Sequence, residues 1–306
     1  MINGESGVVH HRDVTFASGD AVCAAVLYLP DRQRGDVACV VMASGYSGTR
    51  DLGLPAYAER FASNGMAVLA FDYAGFGSST GKPRLLVDPR RQADDYRAAI
   101  RCARSTAGID PERIVLWGVS LGGGHVLEVA ADDARIVAVI ALTPFVGMTS
   151  DVALRRPLET ARLLTAGLLD AARSRLGLSP VMIPVIGEPG RTALVRDTTD
   201  RRVLLRLAQD APAWRNQIRA RGLLGLLRYR PGSSASRLTT PLLVGIALQD
   251  AVVSSADAAA TAVSAPHGQL RRYAGSHFDC FENPTFESAV EDQVAFLRRH
   301  VPHPRP

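Results

Sequence analysis

The chain is predicted to be an α/β protein with a mostly parallel sheet, helices on both faces, and a helical insertion late in the sequence. Three observations predict this. Short continuous apolar runs at 37–43, 136–142 and 242–248 have the character of strands buried on both faces. Segments of helical spacing alternate with them. The alternation stops after Thr143-Pro144 for about 90 residues and then resumes, and the late strands need an earlier sheet to join.

Element by element, 8–16 and 21–29 flank Ser18-Gly19-Asp20 and suggest an opening hairpin. Strands follow at 37–43, 67–71, 114–117 and 136–142, with helices between them at 56–63, 90–104 and 121–131. In the insertion, Leu158, Ala161, Leu164, Leu168, Ala172 and Leu176 fall on one helical face behind Pro157, a good first-turn residue. The stretch 180–190 is predicted to be a loop with one short extended piece, and 202–229 is apolar and basic. Strand character returns at 241–248 and 269–273, with helices near 256–263 and 285–300. Counting strands gives eight, with the insertion after the sixth. The expected division is 1–144 plus 238–306 as the catalytic core and 145–237 as a helical cap.

Composition narrows the function. Across 306 residues, 47% apolar and 21% charged residues exclude a disordered or fibrous chain, and no apolar run approaches the ~20 residues of a membrane helix. The first twenty residues have no apolar core of a secretory signal, so a cytoplasmic location is expected. Cys23, Cys39, Cys102 and Cys280 are far apart, without a Cys-x-x-Cys pair, and indicate neither a metal site nor a disulfide framework. The +5 net charge is localised. Segment 145–237 has 16 Arg against 7 Asp and Glu, a net of +9, and the remainder is −4. A diffuse nucleic-acid surface does not fit that distribution. The insertion's charge is read as a solvated face, with attraction of an anionic substrate or an acyl carrier protein as the alternative.

Chemistry enters at Gly118-Val119-Ser120-Leu121-Gly122. The pentapeptide follows the strand 113–117 and opens a helix, where a tight strand-to-helix turn would hold Ser120 with its hydroxyl exposed. Side chains at 118 and 122 would strike neighbouring elements. A serine hydroxyl needs a base, and an elbow of this kind is followed in the chain by an acid and then a histidine. Asp250 follows the strand 242–248, and His277 follows the strand 269–273, so all three groups reach one edge of the sheet. Asp279 is the alternative acid, disfavoured because it stands two residues from the histidine, and Asp257 already belongs to the next helix. The backbone N–H of Leu121 is one expected oxyanion donor. The second is the N–H of Tyr46, in the Gly-rich turn Ser44-Gly45-Tyr46-Ser47-Gly48.

With these motifs the sequence resembles the α/β-hydrolase superfamily over nearly its whole length. The resemblance rests on the elbow, on Ser44-Gly45-Tyr46, on Asp72 to Ser78 with Gly75 and Gly77, on Leu248-Gln249-Asp250, and on Gly275-Ser276-His277. Segments 49–57 and 214–216 are similar to a capped bacterial group related to dienelactone hydrolase, acetyl-xylan esterase and X-prolyl dipeptidyl peptidase. Fungal polyketide thiohydrolases and acyltransferases look similar too. Ser44 stands where that group usually has His before the oxyanion-loop glycine. The resemblance implies a mostly parallel eight-stranded sheet, no cofactor, and a serine esterase or thioesterase acting through an acyl-enzyme on a small molecule. Acyl transfer to an alcohol or amine is the alternative, and a non-catalytic binding protein is the reading from a different class. Phe145, Trp214, Arg215 and Asn216 are the expected substrate contacts, and Asp72 is expected to be structural.

Overall fold

The structure, a computed structural model, describes residues 9–31, 35–148, 157–188 and 192–301. Strands β1 (His10–Ser18) and β2 (Ala21–Leu29) form the opening antiparallel hairpin. Val8, expected at its start, lies outside the described residues. Strands β3 (Val37–Ala43), β4 (Ala67–Phe71), β5 (Ile109–Val119) and β6 (Ile136–Leu142) alternate with helices α1 (Leu54–Ser63), α2 (Pro89–Arg104) and α3 (Leu121–Ala131).

The insertion then supplies α4 (Pro157–Arg175), the two-residue β7 (Met182–Ile183), α5 (Thr198–Leu207), β8 (Ile218–Arg219) and α6 (Gly222–Leu226). The chain closes with β9 (Leu242–Ala247), α7 (Ser255–Ser264), β10 (Gly268–Tyr273) and α8 (Thr285–His300). The large sheet is ordered β1-β2-β4-β3-β5-β6-β9-β10, parallel from β4 onward.

Period-two alternation explains the layers, because successive side chains of a strand face opposite sides. On one side Val41, Leu69, Leu116 and Val139 pack with α2, α3, α7 and part of the insertion. On the other, Val40, Met42, Val68 and Trp117 pack against α1 and α8. Strand β5 begins five residues earlier than its apolar run suggests, because Ile109 pairs with Val37 across an irregularity.

The insertion departs from expectation at α4. The helix forms, but the anticipated apolar face points outward: Leu158 is 75% exposed, Leu168 62% and Leu176 72%. The buried positions are Gly167 and Asp170. A Cβ on Gly167 would come within 3.1 Å of the Ala220 carbonyl oxygen, so glycine eases the close approach of the two segments. Asp170 accepts hydrogen bonds from the backbone N–H of Val181 (2.8 Å) and of Arg221 (3.0 Å). This polar staple fixes the rotation of the helix and leaves Leu158 and Leu168 on the outside, while Leu164 of the same predicted face reaches the cavity.

Candidate active site

Ser120 is held by the elbow. Its φ of 55° and ψ of −121° lie outside the usual regions for a residue with a side chain, a strain that persists only where the surroundings impose it. The surroundings do so with backbone bonds: Ser120 N–H donates to Leu142 O (2.9 Å), and Ser120 O accepts from Phe145 N–H (2.8 Å). The flanking glycines are required by space. A Cβ at 118 would lie 2.2 Å from the Gly122 oxygen, and one at 122 would lie 2.6 Å from the Ser44 oxygen.

The Gly-rich turn after β3 packs directly on the elbow. A Cβ on Gly45 would come within 2.7 Å of the Ser120 Cβ, so this glycine permits the contact that brings the turn to the serine. Tyr73 donates from its hydroxyl to Ser44 O (3.1 Å). Asp72, expected to be structural, is fully buried and accepts from Arg50 N–H (2.7 Å) and Ser78 N–H (2.9 Å), and it pairs with the Arg50 guanidinium. Burial pushes its pKa up, against the pull of those donors. Its contacts tie the 45–50 turn to the turn after β4.

His277 and Asp250 are joined. His277 Nδ1 lies 2.7 Å from Asp250 Oδ2, and both side chains are fully buried. The other oxygen, Oδ1, accepts from the N–H groups of Val252 (2.8 Å) and Val253 (2.9 Å), which fixes the carboxylate. Asp279 is engaged elsewhere and accepts from Ser276 N–H (2.7 Å). Burial alone would lower the His277 pKa, but the charge and hydrogen bond of Asp250, with the charge of Asp200, outweigh it and the net shift is upward. Nε2 is buried and has no hydrogen-bond partner among the described residues, Ser120 Oγ included. It is therefore the ring nitrogen open to take a proton.

His125 has the opposite character. Nδ1 lies 2.8 Å from the Tyr229 hydroxyl and Nε2 lies 3.1 Å from Gln92 Oε1. Burial lowers its pKa to about 3, so it is a neutral structural imidazole with both nitrogens occupied.

A cavity of about 350 Å³ is lined by Gly45, Tyr46, Ser120, Leu121 and Phe145 from the sheet side. The insertion contributes Leu163, Leu204, Trp214, Leu223 and others, so the wall is mainly apolar. His277 and Asp250 are not part of this lining, but their chain neighbours Phe278, Ala251, Val252 and Val253 are. Trp214 is buried, and among the described residues neither its indole N–H nor the buried Tyr46 hydroxyl has a hydrogen-bond partner. Ala213 N–H donates to Asp51 Oδ2 (3.0 Å), which links segment 49–57 to the segment around Trp214 and seats the indole.

Arg215 and Asn216 require correction, since neither lines the cavity. Arg215 is exposed and donates to the carbonyls of Pro212 and Trp214 (2.7 and 2.9 Å). Asn216 accepts from Ile186 N–H (2.7 Å) and donates to Ile186 O (3.0 Å), a structural tie. The residue that the sequence reading missed is Asp200, a fully buried carboxylate from α5 in the cavity wall. Its only sequence signal is an acid in the first turn of a helix capped by Asp197, which surface helices share.

Among the described residues no group of three His, Cys, Asp or Glu side chains is placed to hold a metal, and no helix is long and apolar enough to cross a membrane.

An elbow serine, a histidine–carboxylate pair and an eight-stranded mostly parallel sheet define an α/β-hydrolase enzyme of the serine class. The chain belongs to the family described as serine aminopeptidase S33, which matches residues 36–284. It is 41% identical to the quorum-quenching protein AidA of Acinetobacter baumannii over 291 residues, 95% of each chain. Thiohydrolase aneE of Aspergillus aculeatus is 28% identical over 268 residues, 85% of this chain and 84% of the relative. The crystal structure of the α/β hydrolase GrgF from a Penicillium species superposes with a TM-score of 0.81 at 26% identity, covering 95% of this chain and 99% of that one.

Proposed function

We propose that the enzyme cleaves a carboxylic ester or thioester through an acyl-enzyme on Ser120, with His277 as base and Asp250 as its orienting carboxylate. The observation that carries this reading is the 2.7 Å Asp250–His277 contact with Nε2 left unpartnered, in a chain whose elbow serine lines the cavity. Ser120 Oγ attacks the carbonyl carbon and its proton passes to Nε2. The N–H groups of Leu121 and Tyr46 hold the oxyanion. The C–O or C–S bond breaks, and the leaving alcohol or thiol takes the proton from His277. Water then attacks the acyl carbon, giving one proton to Nε2, which returns it to Ser120 as the acid departs.

Segment 145–237 acts in this scheme as a lid that covers the acyl-enzyme and limits water. Phe145 and Trp214 are its substrate contacts. The donor is a small-molecule ester or thioester. An acyl carrier protein would have to meet the arginines of the lid, and the salt titration in the Discussion tests that. A cytoplasmic location fits four unpaired cysteines, three of them buried.

Transfer of the acyl group to an alcohol or amine is the second reading. It is favoured by the apolar cavity wall and by likeness to a protein named polyketide transferase, GrgF, which is 31% identical over 178 residues, 58% of this chain. A fluorophosphonate probe should label the wild type and not Ser120→Ala; equal labelling of both removes the nucleophile assignment. Product analysis with an acceptor alcohol present separates the two readings, since hydrolysis alone across varied acceptors sinks the transferase.

A further inference from the structure

We propose that the outer face of helix α4 is a docking surface for an anionic lipid bilayer, on which the protein rests peripherally with its exposed leucines in the interface. The surface lies outside the candidate active site, and the proposal does not depend on the acyl-enzyme reading.

Helix α4 is apolar on two sides. Its inner side carries Leu163 and Leu164 along the cavity, and Gly167 and Asp170 seat it on the rest of the insertion. Packing asks for no second apolar side. Yet Leu158, Leu168 and Leu169 on the helix and Leu176 just past its last residue all face solvent, the least exposed of them, Leu169, at 52%. At about 100° per residue the four fall within one arc of about 100°. Single exposed leucines are ordinary on a protein surface, but a contiguous row of them marks an interaction site.

The charges beside this row name the kind of surface it fits. Arg162 and Arg175 are exposed on the same arc, and among the described residues neither has an ion-pair partner. The two acids of the helix do not offset them, since Glu159 pairs with Arg196 and Asp170 is buried and pairs with Arg221. Leucines flanked by arginines, with no unpaired acid, suit a helix lying in a bilayer interface. The leucines leave water for the acyl boundary, and the guanidinium groups stay at headgroup level against anionic phosphates.

Other occupants fit less well. In a symmetric pair of chains α4 would meet its own copy, and the arginines of one protomer would face those of its partner with no carboxylate between them. Protein partners are held chiefly by aromatic and arginine anchors, and α4 has no aromatic residue. A small anionic donor in the cavity is no alternative either, because Arg162 and Arg175 lie on the solvent arc and not on the arc of Leu163.

The test is flotation of the full chain with vesicles of phosphatidylcholine alone and of phosphatidylcholine with about one-third phosphatidylserine. Wild type should bind the anionic vesicles about tenfold or more tightly than the neutral ones. Leu168→Gln combined with Leu169→Gln should weaken binding to the anionic vesicles about tenfold or more, with Tm unchanged because both side chains are exposed. Arg162→Gln combined with Arg175→Gln should remove the preference for anionic over neutral vesicles. Absence of wild-type binding to the anionic vesicles overturns the proposal, whether or not the variants fold. Binding undiminished by the leucine substitutions also overturns it, because charge alone would then account for it. A dimer seen by sedimentation velocity without lipid, and dissociated by the same leucine substitutions, would assign the face to a second copy of the chain and overturns it too.

Discussion

The sheet and the insertion solve opposite problems. In the sheet, β3, β4 and β9 are buried along their whole length, and apolar burial decides which way each residue faces. In the insertion, α4 turns Leu158, Leu168 and Leu169 to solvent, lays Leu163 and Leu164 along the cavity, and hides a glycine and an aspartate. Orientation there is set by which backbone N–H groups Asp170 can satisfy and how closely Ala220 can approach Gly167. Where a large apolar surface is on offer, it fixes the packing; where it is not, a few buried polar contacts do. The candidate site draws on both regions, since the sheet edge carries Ser120, Asp250 and His277 while the insertion provides most of the cavity wall.

The largest effect expected from this division is on activity. Asp250→Asn should lower kcat by roughly a thousand- to ten-thousand-fold, as loss of the orienting carboxylate does in serine triads, with little change in Tm. Asp279→Asn should change kcat less than about tenfold, because Asp279 serves Ser276 and not the imidazole. A larger loss at Asp279 would reverse the assignment of the acid.

Stability sharpens the contrast between the two regions. Leu116→Ala, in the fully buried centre of β5, should cost about 2–5 kcal/mol in denaturant unfolding. Leu168→Ala, on the exposed face of α4, should stay within about 0.5 kcal/mol. Comparable costs at the two sites would show that the leucine stripe is covered in solution.

The same contrast explains what was legible in the sequence. Helix α3 begins and ends where its spacing predicts, and β3 and β6 coincide with their apolar runs. Strands buried on both faces leave an unbroken apolar signature. The elbow was legible because Gly118 and Gly122 are dictated by local sterics around Ser120. By contrast, the rotation of α4 depends on Val181 and Arg221, which are distant in sequence, so periodicity found a face without telling which way it turns. Asp200 was illegible for the same reason. Arg215 and Asn216 look like recognition residues beside Trp214, but their side chains are spent on carbonyls and on Ile186.

A smaller effect appears in the pH dependence of folding. His125 is neutral in the folded chain with its pKa lowered to about 3, whereas an unfolded histidine titrates near 6.5. Between these values the unfolded state binds the extra proton, so stability from His125 is complete above pH ~6.5 and is lost as pH falls toward 3. The slope attributable to one proton is roughly 1.4 kcal/mol per pH unit. His125→Gln should remove that slope from the unfolding free energy measured across pH 4 to 6, whatever its constant cost. An unchanged slope would show that the acid sensitivity lies elsewhere. This test also belongs to the comparison, because Tyr229, one partner of His125, comes from the insertion and Gln92 from the sheet side.

The smallest expected effect concerns the +9 charge of the insertion. Much of that charge is internally met. Arg196 pairs with Glu159, Arg201 with Glu188, Arg202 and Arg206 with Glu282, and Arg221 with Asp170. Arg219 donates to the Arg84 carbonyl (2.8 Å). Replacing Arg219 or Arg221 would therefore report on the folding of the insertion, and salt is the cleaner probe. The Debye length falls from ~30 Å at 0.01 M to ~8 Å at 0.15 M, so a long-range attraction for an anionic donor would be screened across that range. The expected outcome is that kcat/KM for a coenzyme A thioester and for the neutral N-acetylcysteamine thioester of the same acyl group change in parallel, within about twofold. A fall of tenfold or more confined to the anionic donor would show that the insertion projects an uncompensated positive field, and would restore an acyl carrier protein as the partner it attracts.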